Sequence, residues 1–305
     1  MSLKLIKQVS AYKMVLPDAD AMEGHLATVP HEELTPSAAH GSGFVKLDTH
    51  GEYVVRFLGG YAFALRYDEK VVPGSVVKDE LKKAAVQFEE VEGYKPGRKM
   101  LRELREIVVA QLCAKALVRS KTVICYYNVV EQLLIVPTIA RKLKDNITAQ
   151  LVRAGESIKS TTINVSTAKA SLTTRLTDFM VSTNVDAFEN FEVGNRVILV
   201  GPFGKSSFDL ENLTDASHGI EEAIGSGGQV SEIELRFKGT TFRLTQDFLL
   251  KGIQFDEQED TEEDDPAALF EHEAGVQVLL VSAIIEELCR MFDYTPSVDE
   301  ADDLI

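Results

Sequence analysis

Two segments of helical period stand back to back near the middle of the chain, joined by Gly93-Tyr94-Lys95-Pro96-Gly97, a run that no helix crosses. Upstream of it, Val76, Val77, Leu81, Ala84, Ala85 and Phe88 recur at helical spacing from Ser75, a candidate cap, to about Glu92. Downstream, Leu101, Leu104, Val108 and Leu112 fall at i, i+3, i+7 and i+11 of a second, longer helix running from about Arg98 to Val118. The pattern predicts a helical hairpin. Strand signals bracket it. Tyr53–Leu58 and Tyr61–Tyr67 are aromatic and β-branched runs around Gly59-Gly60, and Lys121–Asn128 with Glu131–Val136 reads as another strand pair.

The rest of the chain neither alternates strands with helices nor repeats. Val9–Leu16 reads as a strand, Asp18–Val29 as a helix with an acidic start, and Ile139–Ala154 as a basic helix. Strands near Thr161–Val165 and Arg196–Val200 enclose a helix at Leu172–Met180. A short helix at Asp215–Ile224, a turn at Gly225–Gly228 and strands at Val230–Phe237, Thr241–Leu244 and Leu249–Phe255 follow. Residues 256–265 contain no apolar side chain and are expected as a linker or loop, Pro266 opens a last helix over Ala267–Phe292, and the acidic tail is expected to be mobile. The class is therefore α+β with mixed sheets. Four parts are expected: a mainly β part over 1–74, the hairpin over 75–121, the α+β remainder over 122–255, and the acidic segment, final helix and tail over 256–305.

With 305 residues, 45% hydrophobic and 26% charged, the composition is globular and excludes wholesale disorder. No stretch approaches the ~20 consecutive apolar residues of a membrane span, and lysines at 4 and 7 interrupt the start before a signal-peptide apolar region can build up. A soluble cytoplasmic protein without a membrane partner is expected. Cys113, Cys125 and Cys289 lack the paired spacings of a zinc site or disulfide framework and are expected as reduced core residues.

The formal net charge of −16 argues against a polyanionic partner only until its location is considered. Residues 255–305 hold 17 acidic side chains against Arg290 alone, which is the whole imbalance. Residues 70–175, by contrast, carry 19 basic and 10 acidic groups, a surplus of nine positive charges. A basic island beside an acidic end suits a nucleic-acid surface coupled to an acidic tail, although a solvated face has the same composition.

Catalytic signatures fail on spacing. Gly201-Pro202-Phe203-Gly204-Lys205-Ser206 ends like a phosphate-cradling loop, but the glycine required five residues before Gly204 is Leu199, so a hairpin turn is expected, with Lys205 free to meet a phosphate as a point charge. Glu271-His272-Glu273 lacks the second histidine of a zinc-protease helix, and Ser75-Val76-Val77-Lys78 lacks the companion motifs of penicillin-binding enzymes. No catalytic residue, metal site or cofactor is assigned. The basic hairpin carries more information. Lys95, Arg98, Arg102 and Arg105 follow one another at spacings of 3, 4 and 3, a stripe with Lys99 beside it and the leucine face turned away. Lys78, Lys82 and Lys83 follow similar spacing on the first helix, and Lys115, Arg119 and Lys121 extend the charge to the far end. Such a stripe tracks phosphates; no Asn, Gln or Arg tip for base reading accompanies it.

The order of features resembles the RdgC family of bacterial recombination-associated proteins. The matching residues are Lys4-Leu5-Ile6-Lys7-Gln8-Val9-Ser10-Ala11-Tyr12-Lys13-Met14, then Arg66 to Lys78 leading into the hairpin, and Tyr126-Tyr127-Asn128. Further on stand Ser171-Leu172-Thr173, Leu176-Thr177-Asp178, Asp209-Leu210-Glu211-Asn212-Leu213-Thr214 and Ile253-Gln254-Phe255-Asp256. The resemblance covers nearly the whole chain, which departs from the family pattern in having no tryptophan and an altered N-terminus. It implies an α+β fold with a protruding hairpin, assembled as a ring-shaped homodimer whose positive hole encloses duplex DNA without sequence preference, with single-stranded DNA an open second ligand. It also implies a non-enzymatic, nucleoid-associated role that limits access of the RecA recombinase to DNA. The resemblance places Lys95, Arg98, Lys99 and Arg102 on a finger beside the hole and the dimer contact near Leu117; with the cations read from spacing and charge, the expected DNA-facing set is Lys70, Lys78, Lys82, Lys83, Lys95, Arg98, Lys99, Arg102, Arg105, Lys115, Arg119, Lys121 and Lys205. The alternative from the residues alone is an acidic interaction protein that uses 255–305 to imitate a polyanion and block a basic partner.

Overall fold

Along the chain, β1 (Gln8–Met14), α1 (Ala19–Ala27), β2 (His40–Val45), β3 (Val54–Phe57) and β4 (Gly60–Lys70) lead into the hairpin helices α2 (Gly74–Glu92) and α3 (Arg98–Lys115). Then come β5 (Val118–Asn128), β6 (Leu133–Val136), α4 (Arg141–Ala154), β7 (Ser160–Thr162) and α5 (Ala168–Val181). The remainder is β8 (Glu192–Gly201), β9 (Gly204–Asp209), α6 (Leu213–Gly225), β10 (Gln229–Phe237), β11 (Thr240–Thr245), β12 (Leu250–Phe255) and α7 (Pro266–Met291). The computed structural model describes residues 6–36, 38–48, 50–155, 160–162, 168–181, 187–210, 213–256 and 265–294.

The strands run in the order β2-β4-β5-β6-β1-β12-β11-β10-β8-β9, with β3 added to β4 and β7 to β1. β1 joins the two halves: Gln8 and Val9 pair with Lys251 and Leu250 of β12, while Ser10–Lys13 pair with Val136–Leu133 of β6. The α+β class holds, but the expectation of mixed sheets is corrected. Every pairing between named strands is antiparallel, and the parallel pairing among the described residues is the isolated bridge Pro30↔Phe44. Two-residue turns at 58–59, 202–203 and 238–239 connect neighbouring strands, and turns that short permit only antiparallel partners.

β4 reads as a nearly continuous apolar run because both of its faces are covered. Tyr61, Phe63, Leu65 and Tyr67 pack with Met22 and Leu26 of α1 and Leu143, Ile147 and Leu151 of α4. Ala62 and Ala64, on the other face, join the core that α7 closes with Phe270, Val278, Val281 and Ile285. The second half of the sheet buries Val197, Leu199, Ile233, Leu235, Phe242 and Leu244 against Leu172 and Leu176 of α5 and Ile220 of α6. Cys113 and Cys125 are buried and Cys289 is half-buried, all three as free thiols.

The final helix starts at Pro266 with Asp265 as its cap, accepting from Ala267 N at 3.0 Å. Its length and hydropathy would suit a membrane span, yet eleven of its 26 residues are buried in the body. Among them Gln277 accepts from Ile6 N at 2.8 Å and Ser282 accepts from Asn128 at 3.0 Å. Of its apolar stripe, Ile284 and Leu288 belong to the chain's own core, and Leu279 is left 68% exposed.

Local expectations fail where strands are polar or helices lack a side-chain cap. Ser75 is not the cap of α2, which starts at Gly74 behind Pro73 without a side-chain cap hydrogen bond. α3 ends at Lys115 rather than Val118, because Val118 and Arg119 pair with Lys70 and Glu69 and so extend β5 backwards. β2 (His-Gly-Ser-Gly-Phe-Val) and β9 (Gly-Lys-Ser-Ser-Phe-Asp) lack the β-branched signature of a strand and are formed by pairing with β4 and β8. Residues 163–165 of the strand expected at Thr161–Val165, 257–264 of the acidic run and the tail from 295 onward lie outside the described residues.

Candidate nucleic-acid interface

The hairpin grows from the end of the longest ladder in the sheet. β4 and β5 stay in register from Gly60↔Asn128 to Lys70↔Val118, and Val71 N adds a bond to Leu117 O at 2.9 Å before the chain leaves the sheet. α2 buries no residue, and α3 buries only Val108 and Cys113, on its root half. At the tip, Gly93 caps α2 in the left-handed region (φ 78°), a conformation that a residue with a Cβ rarely adopts. Phe88 and Tyr94 close the tip edge to face, with ring centroids 5.6 Å apart.

The positive charge of this arm lies on α3. Arg98, Lys99, Arg102, Arg105 and Lys115 outnumber Glu103 and Glu106 on that helix, whereas on α2 Lys78, Lys82 and Lys83 are outnumbered by Asp79, Glu80, Glu89, Glu90 and Glu92. Lys82 sits 3.8 Å from Asp79 and Lys83 2.7 Å from Glu80, so the α2 part of the expected DNA-facing set is largely neutralised within its own helix, and Lys78 is exposed. The stripe also needs a correction: Lys95 lies in the tip turn, before the helix begins at Arg98. Lys95, Arg98, Lys99 and Arg105 are exposed and make no ion pair among the described residues, and Arg102 makes only a 3.6 Å contact with Glu106. Between α3 and Ala39 runs an open groove of about 420 Å³, lined by Arg102, Arg105, Glu106, Val109, Ala110 and Cys113.

The root is more tightly wired. Lys70 donates to the carbonyls of Thr35 (2.8 Å) and Pro36, fixing the loop that carries Ala39. Glu69 accepts from Arg119 on β5 and from Lys142 on α4 at 3.0 Å, and these two hydrogen bonds, in that order, hold its carboxyl below the usual range. Asp68 is buried beside Arg66 Nε (2.9 Å) and His31 Nε2 (3.0 Å). Burial alone would raise its pKa, but hydrogen bonds to Arg66 and Ser120 and the charge of His31 outweigh that cost and lower it. Lys115 and Lys121 are exposed, and Leu117 is 82% exposed, with Val118 next to it and Val71, whose N–H bonds to its carbonyl, exposed as well.

Lys205 is not gathered with this set. It stands on β9 at the opposite end of the strand order, beside a turn in which Gly201 and Gly204 are paired, as expected for a hairpin rather than a phosphate loop. The cations missed from sequence are Arg66, Arg141, Lys142 and Lys144. The last three belong to a segment already legible as a basic helix, but its start meets the hairpin root only through the fold.

A family model described as "Putative exonuclease, RdgC" matches residues 5–295. The recombination-associated protein RdgC of Neisseria meningitidis serogroup C (strain 053442) is 27% identical over 297 residues, covering 92% of this chain and 96% of that protein. The protein of the same description from Neisseria gonorrhoeae (strain NCCP11945) matches to the same extent, 27% over 297 residues. That of Dechloromonas aromatica (strain RCB) is 30% identical over 119 residues, 38% of this chain and 39% of that protein. A match over nearly the whole length, on a chain whose basic arm interrupts an antiparallel sheet, establishes that this protein belongs to the RdgC family, whose curated members are named for their association with recombination.

Proposed function

We propose that the protein binds duplex DNA without sequence preference, encircles it as a ring-shaped homodimer, and modulates recombination by limiting access of RecA. The observation that carries this reading is the exposed row Lys95, Arg98, Lys99 and Arg105, cations without an acidic partner among the described residues on an arm that leaves the sheet. A row of this kind neutralises phosphates, and no base-reading side chain is interleaved with it. The exposed Leu117, at the foot of the arm, gives an apolar contact for a second copy, and closed two-fold symmetry needs the same patch on both.

The family description speaks of an exonuclease and the curated relatives of recombination. The reading proposed here is binding, carried by the exposed cation row, and it assigns no residue to cleavage. The competing reading, an acidic decoy for a basic protein, is favoured by the charge of 255–305. Titrating two unrelated duplexes at two salt concentrations separates them: similar affinities with a steep salt slope support the ring, and no binding to either duplex overturns it.

A further inference from the structure

A second cluster of cations lies beside the hairpin root, on side chains from two elements. Arg141, Lys142 and Lys144 open α4, which packs on the same face of the sheet as Tyr67 and Glu69, so that the Lys142 ammonium lies 4.9 Å from the centre of the Tyr67 ring. Arg119 reaches Glu69 from β5. Lys121, two residues further on, shares the face of Arg119 because strand side chains alternate. Of these five cations, Arg119 and Lys142 pair with Glu69 and Arg141 with Asp145. The Arg141–Asp145 contact is 3.6 Å long with the arginine side chain 91% exposed, a geometry that holds an arginine weakly.

Two of these charges stand where the fold gains little from a cation. The first turn of a helix favours acidic residues, yet α4 begins with three cations, no acidic residue and no side-chain cap. Arg141 points into solvent, and Lys144 makes no ion pair among the described residues.

We infer that this patch is a second contact surface for the DNA backbone, an inference that rests on the duplex-binding reading above. The 18 residues of α3 set the distance between its two ends at ~27 Å. That length corresponds to about eight base pairs at roughly 3.4 Å each, less than one turn of duplex, so a duplex lying along α3 is long enough to reach from the tip row to the root patch. Glu69 is the internal anion of the patch: it holds Arg119 and Lys142 in the free protein and competes with phosphate for them.

The test is a fluorescence-anisotropy titration of unrelated 30-base-pair duplexes between 50 and 200 mM salt, with wild type, Arg141→Ala/Lys144→Ala and Glu69→Gln. The double variant is expected to melt at an unchanged or higher temperature, because the helix dipole opposes both cations. Its slope of log affinity against log salt is expected to be shallower by about 1.8, at roughly 0.9 for each phosphate that is no longer neutralised. Glu69→Gln is expected to bind more tightly at 50 mM salt. A folded double variant with the wild-type slope, or a Glu69→Gln protein that binds no more tightly, overturns the patch and leaves duplex binding standing. A wild-type protein that binds neither duplex overturns the reading beneath it.

Discussion

Replacing Arg98 and Arg102 together by alanine isolates what the arm contributes. Arg98 opens α3 without an ion pair among the described residues, and Arg102 has a side chain 83% exposed and only the 3.6 Å contact to Glu106. An exposed pair of that kind contributes roughly 0 to 1 kcal/mol, and alanine at the start of a helix relieves the repulsion between arginine and the dipole, so the two effects nearly cancel and the fold is unaffected. Binding is affected strongly. Leaving two phosphates without their arginines, at roughly 0.9 each, flattens the slope of log affinity against log salt by about 1.8. Between 50 and 200 mM salt the gap between wild type and variant then narrows by roughly tenfold. Anisotropy titrations on two duplexes of unrelated sequence read this directly, with a melting curve as the check on folding. A folded variant with wild-type affinity and slope on both duplexes refutes the reasoning, since the row would then be an ordinary solvated face. Weaker binding to only one duplex refutes it differently, by revealing base readout.

Glu286, raised to about 7 by its hydrogen bond with Glu131, by burial and by that group's charge, binds its proton more tightly in the folded protein than in the unfolded chain. The fold is therefore penalised as pH rises from about 4.3 through 7, and Glu286→Gln should raise the melting temperature at pH 8 while leaving it unchanged at pH 4; no gain at pH 8 would contradict this. Neutralising the eight carboxylates of 256–265 should tighten DNA binding, most visibly at low salt, because carboxylates within roughly 8 Å repel phosphate; a folded variant that binds more weakly counts against it. Leu117→Ser should shift the mass seen by light scattering from dimer toward monomer at micromolar concentration, and a wild-type protein that is already monomeric there sinks the dimer.

The sequence exposed the arm more clearly than the body because the arm is local. Its two helices are specified by apolar periodicity and by the Gly93–Gly97 break, neither of which depends on the rest of the chain. β2 shows the opposite case. Gly41 and Gly43 would argue against a strand, yet β2 pairs with β4 along its whole length, and Gly43 lies so close to the backbone of His31 that an added Cβ would sit 2.5 Å from it, so a glycine is required there. The end of α3 was misplaced for a similar reason, since Val118 and Arg119 obtain their partners from β4 about fifty residues upstream. Among site residues, the α3 row was legible from spacing, but the neutralisation of Lys82 and Lys83, the engagement of Lys70 and Arg119, and the isolation of Lys205 depend on contacts.

The reach of the arm bears on how its cations coexist with the formal charge of −16. A charge of −16 matters to a phosphate only where the carboxylates stand within about a Debye length of it, roughly 8 Å at physiological salt. The arm carries its cations along a helix of ~27 Å, several times that length, so the tip row lies beyond the reach of the paired carboxylates at the root. Part of that acidity is also engaged: on α7, Glu271 meets His50 at 3.0 Å, and Glu287 accepts from Asn190 at 2.7 Å and pairs with Arg290. At the root, where no such distance is available, Glu69 and Asp68 are matched by Arg119, Lys142, Arg66 and His31. An acidic chain can therefore present a basic surface without contradiction, because α3 carries its cations away from the root and ion pairing engages the carboxylates that stay there.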